Sequence, residues 1–253
     1  RERMEELAAE FIMGKANIVG TASFYDFLKE ENRGKKVFVC NGSACMTAGT
    51  QDALIEKLSR EFKADEIGQM CCLGRCHENS AFNYNGKNYS GTAVSEIEEI
   101  KNQKSELVDS YQVASYGTAV LTNTFSGIKE YYKTLSNALS QSPEALLAEI
   151  KTSGLRGRGG AGFPIAFKLD SCRNTPGKQK FIVCNADEGD PGAYSDRYLM
   201  EHQPHPVLLG MMIAGYIAGA DTGVLYIRAE YPESQEIMQQ AINDLMDENL
   251  LGE

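Results

Sequence analysis

Tryptophan is absent from the 253 residues, histidine occurs three times, and positive charge is scarce, with 25 Lys and Arg against 35 Asp and Glu for a formal net charge of -10. Binding along nucleic-acid phosphates needs clustered Lys and Arg, so this balance excludes that class and points to protein or small-molecule partners. Long apolar runs are missing too. The longest, Val207 to Ala220, is too short to span a bilayer and reads as a buried helix, so no membrane insertion is expected. The stretch Arg1 to Ala9 is charged and amphipathic, without the apolar core and small-residue cleavage site of a secretory signal. No C-x-x-C pair occurs, which removes the thioredoxin-type redox couple.

Cysteine, by contrast, is plentiful. Seven cysteines in a chain read as cytoplasmic are ligands or inert thiols rather than disulfides, because the cytosol keeps thiols reduced. The length suggests two domains. Because it runs from Arg1 to a stop at Glu253 just after a helix-like stretch, the chain is expected to be a fragment.

Apolar spacing predicts a helix over Glu2 to Met13, ended by a turn near Gly14. Lys35 to Cys40 (KKVFVC) reads as a strand, and Thr50 to Phe62 as a helix with Leu54, Ile55, Leu58 and Phe62 on one face. A short strand near Gln69, a hairpin turning at Asn85-Gly86 and a helix over Val94 to Ile100 follow. That order is a thioredoxin-like layout. The polar stretch from Asn102 to about Ser126 marks a boundary. Beyond it, Ser142-Pro143 starts a helix that Gly154 stops. Lys180 to Cys184 reads as a buried strand, His205 to Ala220 as a buried helix, Val224 to Ile227 as a strand and Ser234 to Met246 as a surface helix, implying a mainly parallel sheet.

Four cysteines form the pattern Cys40-x4-Cys45 and Cys72-x3-Cys76, each pair following a predicted strand. An iron-sulfur cluster needs thiolates from separate loops, with small residues nearby so that backbone N-H groups reach the sulfurs; Gly42, Ser43, Ala44 and Gly74 meet that need. Structural zinc is the alternative, although the gaps and the helical insert fit it less well. Cys71 competes with Cys72 for the third position, and the x3 gap favours Cys72. Cys172 and Cys184 read as inert thiols.

The stretches VGTASFYDF (19-27), VFVCNGSACMTAGTQ and CCLGRCHENSAF resemble the thioredoxin-like [2Fe-2S] subunit of respiratory complex I and its soluble relatives. The resemblance implies that Cys40, Cys45, Cys72 and Cys76 hold the cluster. It also implies that most of that family's N-terminal helical bundle is missing.

Further on, five glycines crowd residues 154-162 (GLRGRGGAG). Gly157, Gly159 and Gly162 satisfy G-x-G-x-x-G, but a helix rather than a strand precedes them, so the usual dinucleotide geometry is unsupported. What remains is a loop whose backbone N-H groups can line a phosphate, with Arg156, Arg158 and Lys168 to neutralise it. A flexible turn with solvated arginines is the plain alternative. A second motif weighs against it: after FIVC, the run Asn185-Ala186-Asp187-Glu188-Gly189-Asp190 gathers an amide and three carboxylates at a strand's C-terminal end, where parallel sheets bind ligands.

SGLRGRGGAGFP, VCNADEGDPGAYSDR, PHPVLLGMMIAGYIAGA and YIRAEYP together resemble the FMN- and NADH-binding subunit of complex I, of NAD-reducing and bifurcating hydrogenases and of NAD-dependent formate dehydrogenases. The resemblance implies that Gly157, Arg158, Gly159, Gly160 and Gly162 with Lys168 hold FMN, and that Asn185, Asp187 and Glu188 contact the flavin. Phe163 would stack on the adenine of NAD(H), and Asp190 would touch the dinucleotide. The wording DEGDPGA leans to the soluble branch. Leu169 stands where the family usually has Trp, and the family's further nucleotide segment and [4Fe-4S] domain lie beyond this sequence.

The fold class expected is therefore α/β: a thioredoxin-like ferredoxin domain over 1-104 with a remnant N-terminal helix, a linker over 105-126, and a partial FMN-binding α/β domain with a mainly parallel sheet over 127-253. The function implied is hydride exchange between NAD(H) and FMN with one-electron transfer through a [2Fe-2S] cluster, beside other iron-sulfur subunits of a soluble complex. A non-catalytic carrier or scaffold with an incomplete flavin site is the alternative. No side chain is assigned acid/base catalysis, since hydride transfer to flavin needs none, and His202 and His205 are read as helix-start structure.

Overall fold

The structure is a computed structural model that describes residues 2-105, 116-190 and 192-252. The expected linker over 105-126 lies in part, at 106-115, outside the described residues. The chain divides into two compact units. One gathers residues 1-112, 189-194 and 230-232, and the other 113-188, 195-229 and 233-253.

In the first unit, the β-branched and aromatic run Val37–Cys40 forms β1 at the centre of a four-stranded sheet. Its neighbours are β2 (Ile67–Met70), parallel, and β3 (Phe82–Tyr84), antiparallel, with β4 (Lys87–Tyr89) at the outer edge. The β3-β4 hairpin turns at Asn85 (φ 53°) and Gly86 (φ 76°), the positive-φ pair of a type I′ turn. Helices α1 (Glu2–Glu10) and α2 (Lys15–Phe24) precede the sheet, α3 (Ser43–Ala48) and α4 (Gln51–Glu61) follow β1, and α5 (Ile97–Lys101) follows β4. Leu54 and Leu58, one turn apart on α4, bury against Val37, Val39, Phe82, Ile97 and Ile100. Helix α2 escapes the sequence reading because its apolar and small residues show no helical stripe, and none of them is buried.

Strand β2 is an edge strand, and Asn32 covers it. Its side-chain amide donates to the Gln69 carbonyl (2.7 Å) and accepts from the Gln69 N-H (3.3 Å), supplying the hydrogen bonds a further strand would make. A Cβ on neighbouring Gly68 would come within 2.7 Å of the Asn32 side-chain oxygen.

The second unit opens with α6 (Ile128–Tyr131), α7 (Lys133–Leu139) and α8 (Pro143–Ser153). Ser142 caps α8, its Oγ accepting the Ala145 N-H at 3.2 Å, and Gly154 stops it at φ 66°. Then come α9 (Ile165–Asn174), β5 (Phe181–Ala186), α10 (Ser195–His202), α11 (Pro204–Ala218), β6 (Thr222–Ile227) and α12 (Pro232–Asp247). Strands β5 and β6 pair in parallel. Ile217 and Ala218 of α11 join Ala138, Leu146 and Leu169 in a core against which Ile182 of β5 packs.

Three expectations are corrected. The strand read as buried is half-open, with Phe181 47% and Val183 60% exposed beside Val224 and Tyr226 of β6. The pair is covered from the α11 side, so the alternate residues face outward. The strand also runs two residues further than expected and takes in Asn185 and Ala186. Finally, His202 ends α10, whereas His205 sits in the first turn of α11, buried against Tyr132 and stacked on Phe125 at 4.5 Å.

Candidate functional site

The first unit brings the four cysteines of the pattern together. Cys40 ends β1, Cys45 lies on α3, and Cys72 and Cys76 sit in the loop after β2. Cys40, Cys45 and Cys72 are buried and Cys76 is half-buried, whereas Cys71 is exposed. The sulfurs pair. Cys72 Sγ lies 3.5 Å from Cys76 Sγ, and Cys40 shares a hydrogen bond with Cys45. That bond pulls the Cys45 thiol down to about 7 and pushes the Cys40 thiol up. Cys72 does the same to Cys76, raising it, with burial second. Cys45 feels the charges of Cys76 and Cys72, so the two pairs lie within electrostatic range of each other.

The donor set fits a binuclear iron-sulfur cluster, which takes two thiolates for each iron, because the four thiols stand as two pairs. Backbone N-H groups also reach the sulfurs. Gly42 donates to Cys40 Sγ (3.4 Å), Gly192 to Cys76 Sγ (3.2 Å), Leu73 to Cys40 and Ala81 to Cys45. Such donors stabilise negative sulfur and raise a cluster's reduction potential.

Two glycines have packing reasons. A Cβ on Gly42 would stand 3.0 Å from the Cys72 backbone nitrogen, so glycine lets the two cysteine loops approach. Gly74 has φ 71°, and a Cβ there would lie 2.2 Å from the Tyr231 ring. The loop is further held by Asn88, whose Nδ2 donates to the carbonyls of Leu73 (3.2 Å) and Glu230. Asp26 accepts the Cys71 N-H through its buried carboxylate and pairs with Lys29. Sequence reading missed Asp26, Asn88, Gly192 and Tyr231. Only Asp26 had a signal, in the YDF of the stretch that resembles the ferredoxin family.

In the second unit, the glycine-rich stretch folds as a pinched loop. The Gly157 N-H bonds the Phe163 carbonyl (2.8 Å), the Ile165 N-H bonds Leu155 (3.1 Å), and Arg156 bridges Pro164. The Arg156 guanidinium donates to the Gly162 carbonyl (2.9 Å), so it braces the loop. Arg158 is exposed, and Lys168 Nζ lies 5.8 Å from the Phe163 ring centre and would be 3.8 Å from a Cβ on Gly157. Gly160 (φ 116°) and Gly162 (φ 59°) need glycine for their backbone. At Gly159, a Cβ would meet nothing within 4 Å, so the space beside the loop is open to a ligand rather than filled by protein. These features fit a phosphate-bearing cofactor: a glycine cradle with the Lys168 ammonium beside it.

The acidic strand end is built differently from the expectation of three ligand-facing carboxylates. Asn185 is an exposed strand residue whose Oδ1 accepts the Asp187 N-H (3.3 Å). Glu188 adopts φ 44° and turns its carboxylate onto α10, accepting from Asp196 N-H (2.8 Å), Arg197 N-H (2.9 Å) and Ser195 Oγ (3.1 Å). It therefore caps that helix. Asp187 is half-buried, and Asp190 is exposed. Arg197 and Glu201 form a buried ion pair at 2.8 Å that Ser234 completes with a bond to Glu201 (2.9 Å).

Paired thiols at the end of a mixed four-stranded sheet, with a glycine loop and an acidic strand end in an α/β unit, define a class of iron-sulfur and flavin-linked electron-transfer proteins. Residues 1-104 match the model of the thioredoxin-like [2Fe-2S] ferredoxin and residues 150-250 that of the Nuo51 FMN-binding domain. It is 30% identical to the NAD-reducing hydrogenase HoxS subunit alpha of Cupriavidus necator, over 98% of this chain and 46% of that protein. It is 46% identical to the NADP-reducing hydrogenase subunit HndC of Solidesulfovibrio fructosivorans, over 48% of this chain and 25% of that protein. The mitochondrial NADH dehydrogenase (ubiquinone) flavoprotein 1 of Dictyostelium discoideum is 34% identical over 66% of this chain and 38% of its own length. A crystal structure of an air-oxidized NAD+-reducing [NiFe]-hydrogenase superposes with a TM-score of 0.70 at 27% identity, over 99% of this chain and 47% of that one. The chain thus spans about half, or less, of the relatives it matches. Among the described residues, no helix is long and apolar enough to cross a membrane.

Proposed function

We propose that this chain is the NADH-linked electron-transfer part of a larger oxidoreductase, exchanging hydride between NAD(H) and FMN and passing single electrons by way of a [2Fe-2S] centre. The observation that carries the reading is the arrangement of four thiols as two pairs, with backbone N-H groups directed at their sulfurs. Cys40, Cys45, Cys72 and Cys76 would hold the cluster, which would supply one-electron chemistry. FMN, when bound, supplies the conversion between two-electron and one-electron chemistry.

The chain's own residues bind and orient. Gly157, Arg158, Gly159, Gly160 and Gly162 cradle the FMN phosphate with Lys168 as counter-charge, while Arg156 keeps the loop closed. Asn185 and Asp187 flank the flavin. Glu188 lies with them on the flavin side, its carboxylate bonded to the start of α10. Phe163, 44% exposed, offers its ring to the adenine of NAD(H), and Asp190 meets the dinucleotide. No residue acts as acid or base. The functional division follows residues 1-104 and 127-253, with 105-126 as linker. The partners are other iron-sulfur subunits of a hydrogenase, formate dehydrogenase or complex I-like assembly, and the compartment is the cytoplasm, where all seven cysteines stay available as thiols.

The open face of β5 and β6 favours a second reading, in which this chain alone is a [2Fe-2S] carrier with an incomplete flavin site. An anaerobic absorption spectrum with iron, zinc and flavin quantitation, before and after NADH, separates the two. The proposal requires about two irons per chain, flavin, and bleaching by NADH. Iron without flavin leaves the carrier reading, and a colourless zinc protein overturns both.

A further inference from the structure

We propose that Asp26 is the positioning residue that selects Cys72 over its neighbour Cys71 as a cluster ligand; the inference rests on the [2Fe-2S] reading above. The sequence offers two adjacent thiols at 71 and 72, and a cluster can use one of them opposite Cys76. The structure distinguishes them sharply. Cys72 is 2% exposed with its sulfur 3.5 Å from that of Cys76, whereas Cys71 is exposed.

The backbone has to be held to keep that choice. Cys72 adopts φ 33°, a left-handed conformation that is uncommon and costly for a non-glycine residue. The residue before it is pinned from outside the loop. The Asp26 carboxylate, buried at 8% exposure, accepts the Cys71 N-H across 45 residues of sequence and is neutralised by Lys29. Asp26 is itself anchored, its carbonyl accepting Asn32 Nδ2 at 2.9 Å, while the same Asn32 side chain bonds both backbone groups of Gln69 on β2. The end of β2 is thereby fixed up to residue 71, and the turn that follows throws the Cys71 side chain outward and the Cys72 side chain inward. Without the acceptor, the Cys71 N-H loses a charge-assisted hydrogen bond, and the strained φ at Cys72 loses its outside support.

The test compares the full chain as wild type, Asp26→Ala, Asp26→Asn and Asp26→Ala/Cys71→Ser by electron paramagnetic resonance of the reduced cluster, with iron content and potentiometric titration. Wild type and Asp26→Asn, which keeps an oxygen able to accept the N-H, are expected to show one species. Asp26→Ala is expected to show a second species with a different midpoint potential, which the added Cys71→Ser removes. If Asp26→Ala does not fold, Asp26→Ser, whose oxygen falls short of the Cys71 N-H, takes its place. A single wild-type spectrum and potential in the Asp26→Ala or Asp26→Ser protein overturns the selection role alone. Wild type without any cluster signal overturns the [2Fe-2S] reading together with it.

Discussion

The cysteine site and the glycine loop solve opposite problems. At the cysteine site, three of four candidate ligands are buried, two glycines exist so that loops or rings can touch the cysteine segments, and side chains from distant positions hold the backbone. At the glycine loop most residues are exposed, and at Gly159, Gly160 and Gly162 an added Cβ would meet no protein atom within 4 Å. A cluster is reached by thiolates that must converge within a few ångströms, so the protein fixes them by packing. A nucleotide is grasped by backbone N-H groups and charge from one side, so the protein leaves room instead.

The largest effect expected tests the first half of that contrast. Cys72→Ser should lose essentially all iron, whereas Cys71→Ser should keep a cluster with unchanged iron content; the reverse pattern would show that packing had been misread as ligand choice. Next, Gly160→Val places a branched side chain at φ 116° in the open cradle, and flavin affinity should drop by about tenfold or more, equivalent to about 1.4 kcal/mol. Unchanged flavin content on titration would break the comparison, because the space beside the loop would then have no ligand. Glu201→Ala sharpens it differently. Glu201 is an ion-pair partner of an Arg197 side chain that is 1% exposed, and its removal should lower stability to urea by about 3 to 5 kcal/mol. A loss below about 1 kcal/mol would mean that the pair is hydrated in solution.

The smallest effect is a pH dependence. Burial holds the His205 imidazole below its usual 6.5, against a weaker opposing pull from Asp244. The folded state therefore binds the proton less well than the unfolded chain. Its contribution is fully present above pH 6.5 and declines as pH falls through that value towards the depressed folded one. Thermal melts should show this loss in wild type and a shallower one in His205→Gln.

Much of the first unit was legible. Strand β1, helix α4 with Leu54 and Leu58, and the Asn85-Gly86 hairpin follow from periodicity and turn chemistry, which are local. Helices α9 and α10 were not, because α9 has only a weak apolar stripe and α10 is short and polar, with its start secured by Glu188 at the end of another loop. Glu188 shows the limit most clearly. As a residue type beside Asp187 and Asp190 it reads as one of three ligand-facing carboxylates, yet its side chain caps a helix. Arg156 is a similar case, since a loop arginine that reads as phosphate neutraliser spends its guanidinium on Gly162.

Sequence alone determined which residues can do chemistry here: four spaced cysteines, a glycine cluster, an amide and carboxylates after a strand. Residue type and spacing carry that information, because ligand chemistry and turn conformations are properties of a few neighbouring residues. Tertiary structure alone decided which of those groups are free to act. The pairing of the thiols, the burial of Cys72 beside an exposed Cys71 and the commitment of Glu188 to α10 depend on hydrogen bonds and close approaches between segments that local sequence patterns do not record.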